Sequence, residues 1–234
     1  MLNADTLEVL AQINNVTNTI ILKHPQTVAV SESQDIRVLI DLSGLDPEGF
    51  DPIGLNDSLS NFLNLFKLFP DDRRVEILDN TINVSAGQTS SSFIMDNTDL
   101  MEAYDVGPEQ FAKTEQVPSV GTFNLDVPDI KSIRAATKIF GDLSEVIFTS
   151  QDGDMIVSLG STNKFNAKSN KFSVTKQAQT TKEFEVKIPV ENFGVIPQSD
   201  YTVDIKHNPS NGQYRIMLTS KSLEGLKLIM SVKV

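Results

Sequence analysis

The chain has no cysteine and no tryptophan, and only two histidines and three tyrosines in 234 residues. The missing cysteines exclude disulfides, thiolate metal sites and a cysteine nucleophile. With so few large aromatics, a polysaccharide-binding module, which stacks sugars on exposed rings, ranks low. No apolar run approaches the ~20 residues needed to cross a bilayer, so no membrane association is expected. The opening MLNADTLEVL has neither the basic start nor the apolar core of a signal peptide, and an unsecreted protein is expected. Positive charge is scarce in one half only. Residues 1–121 carry 6 Lys+Arg and 19 Asp+Glu, a net of −13; residues 122–234 carry 14 and 12, a net of +2; together they give the −11 of the whole chain. So acidic a chain argues against general nucleic-acid affinity. The asymmetry leaves room for a local basic surface on a repelling body.

Catalytic constellations are missing too. His24 and His207 lie beside prolines or turns and read as surface residues. Asp152-Gly153-Asp154 lacks the further oxygen ligands and bidentate Glu of a calcium loop, and a hairpin turn accounts for it. Gly44–Gly54 lacks the order of a phosphate loop. Ser90–Ser92 has no partner His or Lys at a telling position. No nucleophile–base pair or converging carboxylates can be picked out, so no enzyme, metal or cofactor is expected.

What the sequence does contain is a pattern that occurs twice. Residues 5–95 read as helix, three strands, helix, three strands, and residues 122–233 follow the same plan. Asp5 precedes an amphipathic helix with Leu7, Leu10, Ile13 and Val16 three apart, broken by Asn15 and Asn18. Strands are expected at Thr19–Lys23, Thr27–Ser31 and Ile36–Leu42, with a turn at His24-Pro25-Gln26. After the Gly/Pro/Asp-rich passage Gly44–Gly54, a second helix with Asn56 or Asp57 as N-cap runs through Leu59, Phe62, Leu63 and Phe66 to Pro70. Short strands follow at Val75–Leu78, Ile82–Ser85 and Ser91–Met95, with a turn at Asp79-Asn80. Residues 96–121, polar and acidic with Pro108 and Pro118, read as an ordered connector that packs down through Leu100, Met101, Tyr104 and Phe111. The second half opens with a strand at Thr122–Leu125. Asp126 caps a helix with Pro128 in its first turn, stopped at Gly141. Strands follow at Glu145–Thr149 and Met155–Leu159, joined by a Gln151-Asp152-Gly153 hairpin, then at Lys171–Lys176 and Phe184–Ile188. A short helix at Pro189–Phe193 precedes strands at Tyr201–Lys206, Tyr214–Thr219 and Leu226–Lys233.

One basic feature stands out. Lys131, Arg134 and Lys138 fall at i, i+3 and i+7 on the helix 127–140, one narrow stripe at about 100° per residue. Ile130, Ile133, Thr137 and Phe140 form a separate apolar stripe. The spacing expects one face on a sheet and three cations toward solvent, a placement suited to phosphate contacts. An ordinary solvated face is the competing reading.

With these passages in view, the organisation resembles the DNA polymerase sliding clamps, and the resemblance spans nearly the whole chain. Leu7–Ile13 followed by Thr19–Lys23 is similar to the opening of T4-like phage clamps. Pro47-Glu48-Gly49-Phe50-Asp51 followed by Ser58–Leu68 is similar to the stretch before the second helix of PCNA-type clamps. Phe123–Phe140 and Tyr201–Val234 resemble the opening and closing of a second clamp domain. The resemblance implies an α+β fold of two repeated clamp domains, 1–95 and 122–234, joined by a 96–121 connector, with helices inside and sheets outside. It implies a phage-type homotrimeric ring around duplex DNA in the host bacterial cytoplasm, with a DNA polymerase and an ATP-driven clamp loader as partners. Lys131, Arg134, Lys138 and Lys67 become the DNA-facing residues. By position, Ile40, Leu42, Leu100, Met101 and Ile229 become the pocket for partner peptides. The helices 5–16 and 189–193 depart from a shared positive lining, having no Lys or Arg. The rival is a phage structural or adhesion protein of two β-sandwich-like domains with no DNA role.

Overall fold

The computed structural model describes residues 4–43, 51–69, 73–78, 80–141, 143–161 and 172–232. Several expectations lie outside the described residues: the Asp5 cap, most of Gly44–Gly54 and of Pro47–Asp51, Pro70, Asp79, Lys171, and the last two residues. The chain divides into two compact units, Met1–Pro108 and Glu109–Val234, so the division falls inside the 96–121 stretch.

The first unit opens with α1 (Ala4–Ile13), then β1 (Ile20–Leu22), β2 (Gln26–Val30) and β3 (Ile36–Asp41). A strand that sequence reasoning missed, β4 (Ile53–Leu55), pairs antiparallel with β1. Its three residues are all buried, and glycine is required at its centre. A Cβ on Gly54 would lie 2.4 Å from the Asp96 carbonyl oxygen, while the Asp96 N–H donates to the Gly54 carbonyl at 2.9 Å. Helix α2 (Leu59–Lys67) buries Leu59, Phe62, Leu63, Leu65 and Phe66. Phe62 meets Phe66 and Phe93 edge-on, at 4.9 and 5.7 Å between ring centres. The antiparallel strands β5 (Arg74–Leu78), β6 (Thr81–Ala86) and β7 (Thr89–Ile94) close the plan.

The expected cap of α2 is corrected. Asp57 sits at φ 51°, in the left-handed region, and Ser58 occupies the cap position without a side-chain bond to the helix, its Oγ donating to Asp96 Oδ2 at 3.3 Å instead. Asn18, just before β1, supplies the cap instead. Its carbonyl accepts from the Ser58 and Leu59 N–H groups, both at 3.0 Å, and its Oδ1 accepts from the Ser60 N–H at 2.8 Å.

The second unit begins with a helix that sequence reasoning also missed, α3 (Glu109–Gln116). It buries Phe111 and Thr114 and receives bonds from Arg215 to Thr114 and from Lys206 and Lys227 to Glu115. There follow β8 (Ser119–Leu125), α4 (Val127–Ile139), β9 (Glu145–Gln151), β10 (Asp154–Gly160), β11 (Ser173–Thr180), β12 (Glu185–Pro189), α5 (Val190–Gly194), β13 (Tyr201–His207), β14 (Tyr214–Ser220) and β15 (Lys227–Ser231). The eight strands lie side by side as β12-β9-β10-β11-β8-β13-β14-β15. Burial alternates along β9, β10 and β13, the period of a sheet with one face on a core. Asp152 and Gly153 both take positive φ in the β9–β10 turn, as a two-residue hairpin demands.

The repeating plan of strand, helix and three strands therefore occurs as β4-α2-β5-β6-β7, β8-α4-β9-β10-β11 and β12-α5-β13-β14-β15, with α1-β1-β2-β3 matching all but the first strand. Its caps repeat as well. Asp200 Oδ1 accepts from the Val127 N–H of α4 at 2.8 Å. The Ser144 carbonyl accepts from the Val190 N–H of α5 at 3.0 Å. Like Asn18, each lies just before the strand paired with the one leading into the capped helix.

Candidate nucleic-acid interface

Helix α4 is placed by its apolar side. Ile130 and Ile133 are fully buried and Ala136 nearly so. At the first turn, the Asp126 N–H donates to Asp129 Oδ2 at 3.1 Å. Lys176 from β11 donates to Asp126 and Asp129 at 3.2 and 2.6 Å. The bond to Asp129 raises the Lys176 pKa, against the opposing effect of partial burial. These acidic groups suit the positive end of the helix dipole and leave Lys176 committed to structure.

Of the stripe read from the spacing, Lys131 and Lys138 are exposed. Among the described residues neither makes an ion pair. Arg134 is half-buried and its guanidinium turns inward. Its Nη2 donates to the carbonyl oxygens of Phe193, at 3.4 Å, and Ile196, where α5 ends. Burial lowers its pKa, partly offset by the neighbouring Tyr201. Arginine still keeps its charge at any ordinary pH. Carbonyls of a last helical turn carry partial negative charge, and the long planar arginine fork reaches one there, Phe193, and one two residues beyond the helix, Ile196. The i, i+3, i+7 spacing is blind to this acceptor pair, which comes from a segment about 60 residues away.

Lys67, at the end of α2, is exposed and donates to Asn64 Oδ1 at 3.3 Å. Two cations near it escaped the helix-by-helix reading. Arg73 lies over the Phe66 ring, 5.2 Å from its centre, and Arg74 is exposed beside Glu76 at 2.6 Å. Three of the six Lys and Arg of residues 1–121 thus fall within residues 67–74. That clustering in an otherwise acidic half was the available signal.

The five residues assigned to a partner pocket differ in access. Ile40, Leu42, Met101 and Ile229 are buried, whereas Leu100 is 86% exposed. Met101 packs at Gly54, where a Cβ would lie 3.1 Å from its Sδ. Leu100 closes a 3₁₀ turn, Thr98–Leu100, capped by Asn97, whose Oδ1 accepts from the Asp99 N–H at 3.0 Å.

His207 ends β13 with its ring 4.4 Å from that of Tyr214, and His24 is half-buried in the β1–β2 turn. Among the described residues no three His, Asp or Glu converge as metal ligands, and no helix is long and apolar enough to cross a membrane.

No protein-family model matches the chain, and no curated protein sequence does. Solved structures do. The Proliferating Cellular Nuclear Antigen of Entamoeba histolytica is 12% identical with a TM-score of 0.64, and the match covers 97% of this chain and 94% of that one. The PCNA of A. fulgidus, solved with the C-terminal region of FEN-1, is 13% identical with a TM-score of 0.65, covering 100% and 97%. The DNA polymerase III subunit beta sliding clamp of Bartonella birtlesii is 12% identical with a TM-score of 0.68, covering 100% of this chain and 66% of that one. At such identities the likeness speaks for the fold. The repeated plan, its repeated caps and the match over the full length agree: this chain has the two-unit fold of the DNA polymerase sliding clamps.

Proposed function

We propose that the protein is a processivity clamp, a ring of identical copies that encircles duplex DNA and tethers a DNA polymerase. The observation that carries this reading is the clamp fold over the whole chain. PCNA structures are matched along nearly their full length, whereas the longer bacterial β subunits are matched along about two thirds. A two-unit chain of this kind favours a homotrimer. Strand β7 and residues 173–177 of β11 each pair on one side only among the described residues, and joining such edges between copies would close a head-to-tail ring and cover them.

Within the ring, Lys131 and Lys138 of each copy, with Lys67, would meet phosphates. These are few, exposed and independent of base sequence, so they suit sliding rather than arrest. The strong net negative charge elsewhere repels DNA from other surfaces. Arg134 serves this surface indirectly, by fixing α4 to α5. A ring holds DNA by topology, so its opening calls for an ATP-driven clamp loader. The A. fulgidus PCNA structure with the C-terminal region of FEN-1 supports a peptide-docking role. Of the five residues assigned to such a pocket, Leu100 is the one a partner reaches without rearrangement. A phage source acting in the host bacterial cytoplasm rests on the T4-like passage Leu7–Lys23.

Light scattering across a concentration series tests the assembly. A mass approaching three times 25.8 kDa is expected. A strict monomer at every concentration contradicts it.

A further inference from the structure

Two helices of different units share one motif. Leu59–Phe69 reads LSNFLNLFKLF and Ile130–Phe140 reads IKSIRAATKIF. In register, Leu59, Phe62 and Leu65 match Ile130, Ile133 and Ala136, all buried. Both segments end in lysine, an aliphatic residue and phenylalanine. The lysines, Lys67 and Lys138, are exposed. The aliphatics beside them, Leu68 and Ile139, are 74% and 72% exposed, among the few large hydrophobics of the chain left in water.

A lone exposed aliphatic needs no explanation, and a lysine in a last turn suits the helix dipole. The same pair at the same step of two helices, in a chain of net charge −11, is a different matter. A lysine with an aliphatic residue about 100° around the helix from it is complementary to a surface that offers anions and apolar patches side by side. A duplex backbone is such a surface, with deoxyribose faces between phosphates.

We infer that Leu68 and Ile139 pack on the sugar faces of duplex DNA while Lys67 and Lys138 meet the adjacent phosphates. The inference rests on the clamp reading. It adds a salt-independent component to binding that charge alone does not provide. Counterion release makes affinity fall with salt in proportion to the phosphates met, a log–log slope of about −0.9 each, and apolar burial has no such slope.

The experiment measures binding of a short fluorescent duplex by the full-length protein over a salt series, for wild type, Leu68→Ser with Ile139→Ser, and Lys67→Ala with Lys138→Ala. All four positions are exposed, so the fold tolerates both pairs. The lysine pair should flatten the salt slope. The aliphatic pair should weaken binding about fivefold at every salt concentration with the slope unchanged, in line with modest apolar burial. The Leu68 and Ile139 methyl resonances should shift when duplex is added to the wild type. Wild-type binding that the aliphatic pair leaves intact, with silent methyl groups, overturns the inference but spares the clamp reading. Loss of binding to a polymerase peptide alone reassigns the motif to a protein partner and also overturns it. A wild type that never binds this open-ended duplex also overturns the inference, and the clamp reading is then judged by the solution mass, since a ring leaves a duplex through its free ends.

Discussion

The side chain of Asn18 caps a helix that begins about 40 residues later: its Oδ1 accepts from both the N–H, at 2.8 Å, and the Oγ, at 2.9 Å, of Ser60. Its Nδ2 donates to Asp57 Oδ1 at 2.7 Å. Asn18 thus ties the start of β1 to the start of α2 at one point of the first unit. Replacing it with alanine should cost about 1–2 kcal/mol, read as a lower urea midpoint with little change in slope. Asn18→Asp keeps the acceptor but sets a second carboxylate against Asp57, so at neutral pH it should not recover the wild-type midpoint.

Gly54 is a second fixed point. Any side chain there meets the backbone of Asp96, and backbone cannot step aside as a rotamer can. Gly54→Ala should destabilise the first unit by roughly 1–3 kcal/mol, measured by thermal unfolding. Gly141→Ala, where a Cβ meets nothing within 4 Å, is the control and should change little.

Arg134 and Lys131 should separate in their effects, although both lie on one helix. Arg134→Met removes the link from α4 to Phe193 and Ile196 and should lower stability by about 1–3 kcal/mol. Lys131→Ala leaves stability unchanged and reduces the salt slope of duplex binding by up to ~0.9 for each phosphate the lysine neutralises. The two readouts, unfolding midpoint and salt slope, assign each residue its role.

Alkaline pH should destabilise the second unit through two groups. Burial raises the pKa of Tyr201, whose hydroxyl donates to the Pro197 carbonyl at 2.8 Å. The unfolded chain ionises this tyrosine first, so stability falls as pH rises beyond about 10. Lys176, raised chiefly by its bond to Asp129, acts in the same direction. Its stabilisation is complete below the ordinary lysine value and fades as pH climbs through the folded one. Tyr201→Phe should flatten the decline in stability between neutral and alkaline pH, and Lys176→Met should flatten it further. An unchanged decline in both variants contradicts the assignment.

Much of the fold was legible because its signals are local. Leu59, Phe62 and Phe66 announce α2 by their spacing; Asp126 and Pro128 announce the start of α4; Asp152-Gly153 announces a hairpin. Strand β4 was not legible, since three residues in a Gly/Pro/Asp-rich passage show no period and are held by pairing with β1. The Asn18 cap and the Arg134 tether were hidden for the same reason: their partners are remote in sequence. At the candidate site, charge spacing found Lys131 and Lys138 but not the burial of Arg134, and it passed over Arg73 and Arg74 beyond the end of α2.

Encirclement is a topological property and can be tested without a loader. Immobilised linear duplex is offered with one free end or with both ends blocked by bulky groups before the protein is added. A ring threads onto free ends and slides, so protein should be retained on the first when its end is blocked afterwards, and should not reach the second. Equal retention on both would show binding along the side of the duplex and contradict encirclement.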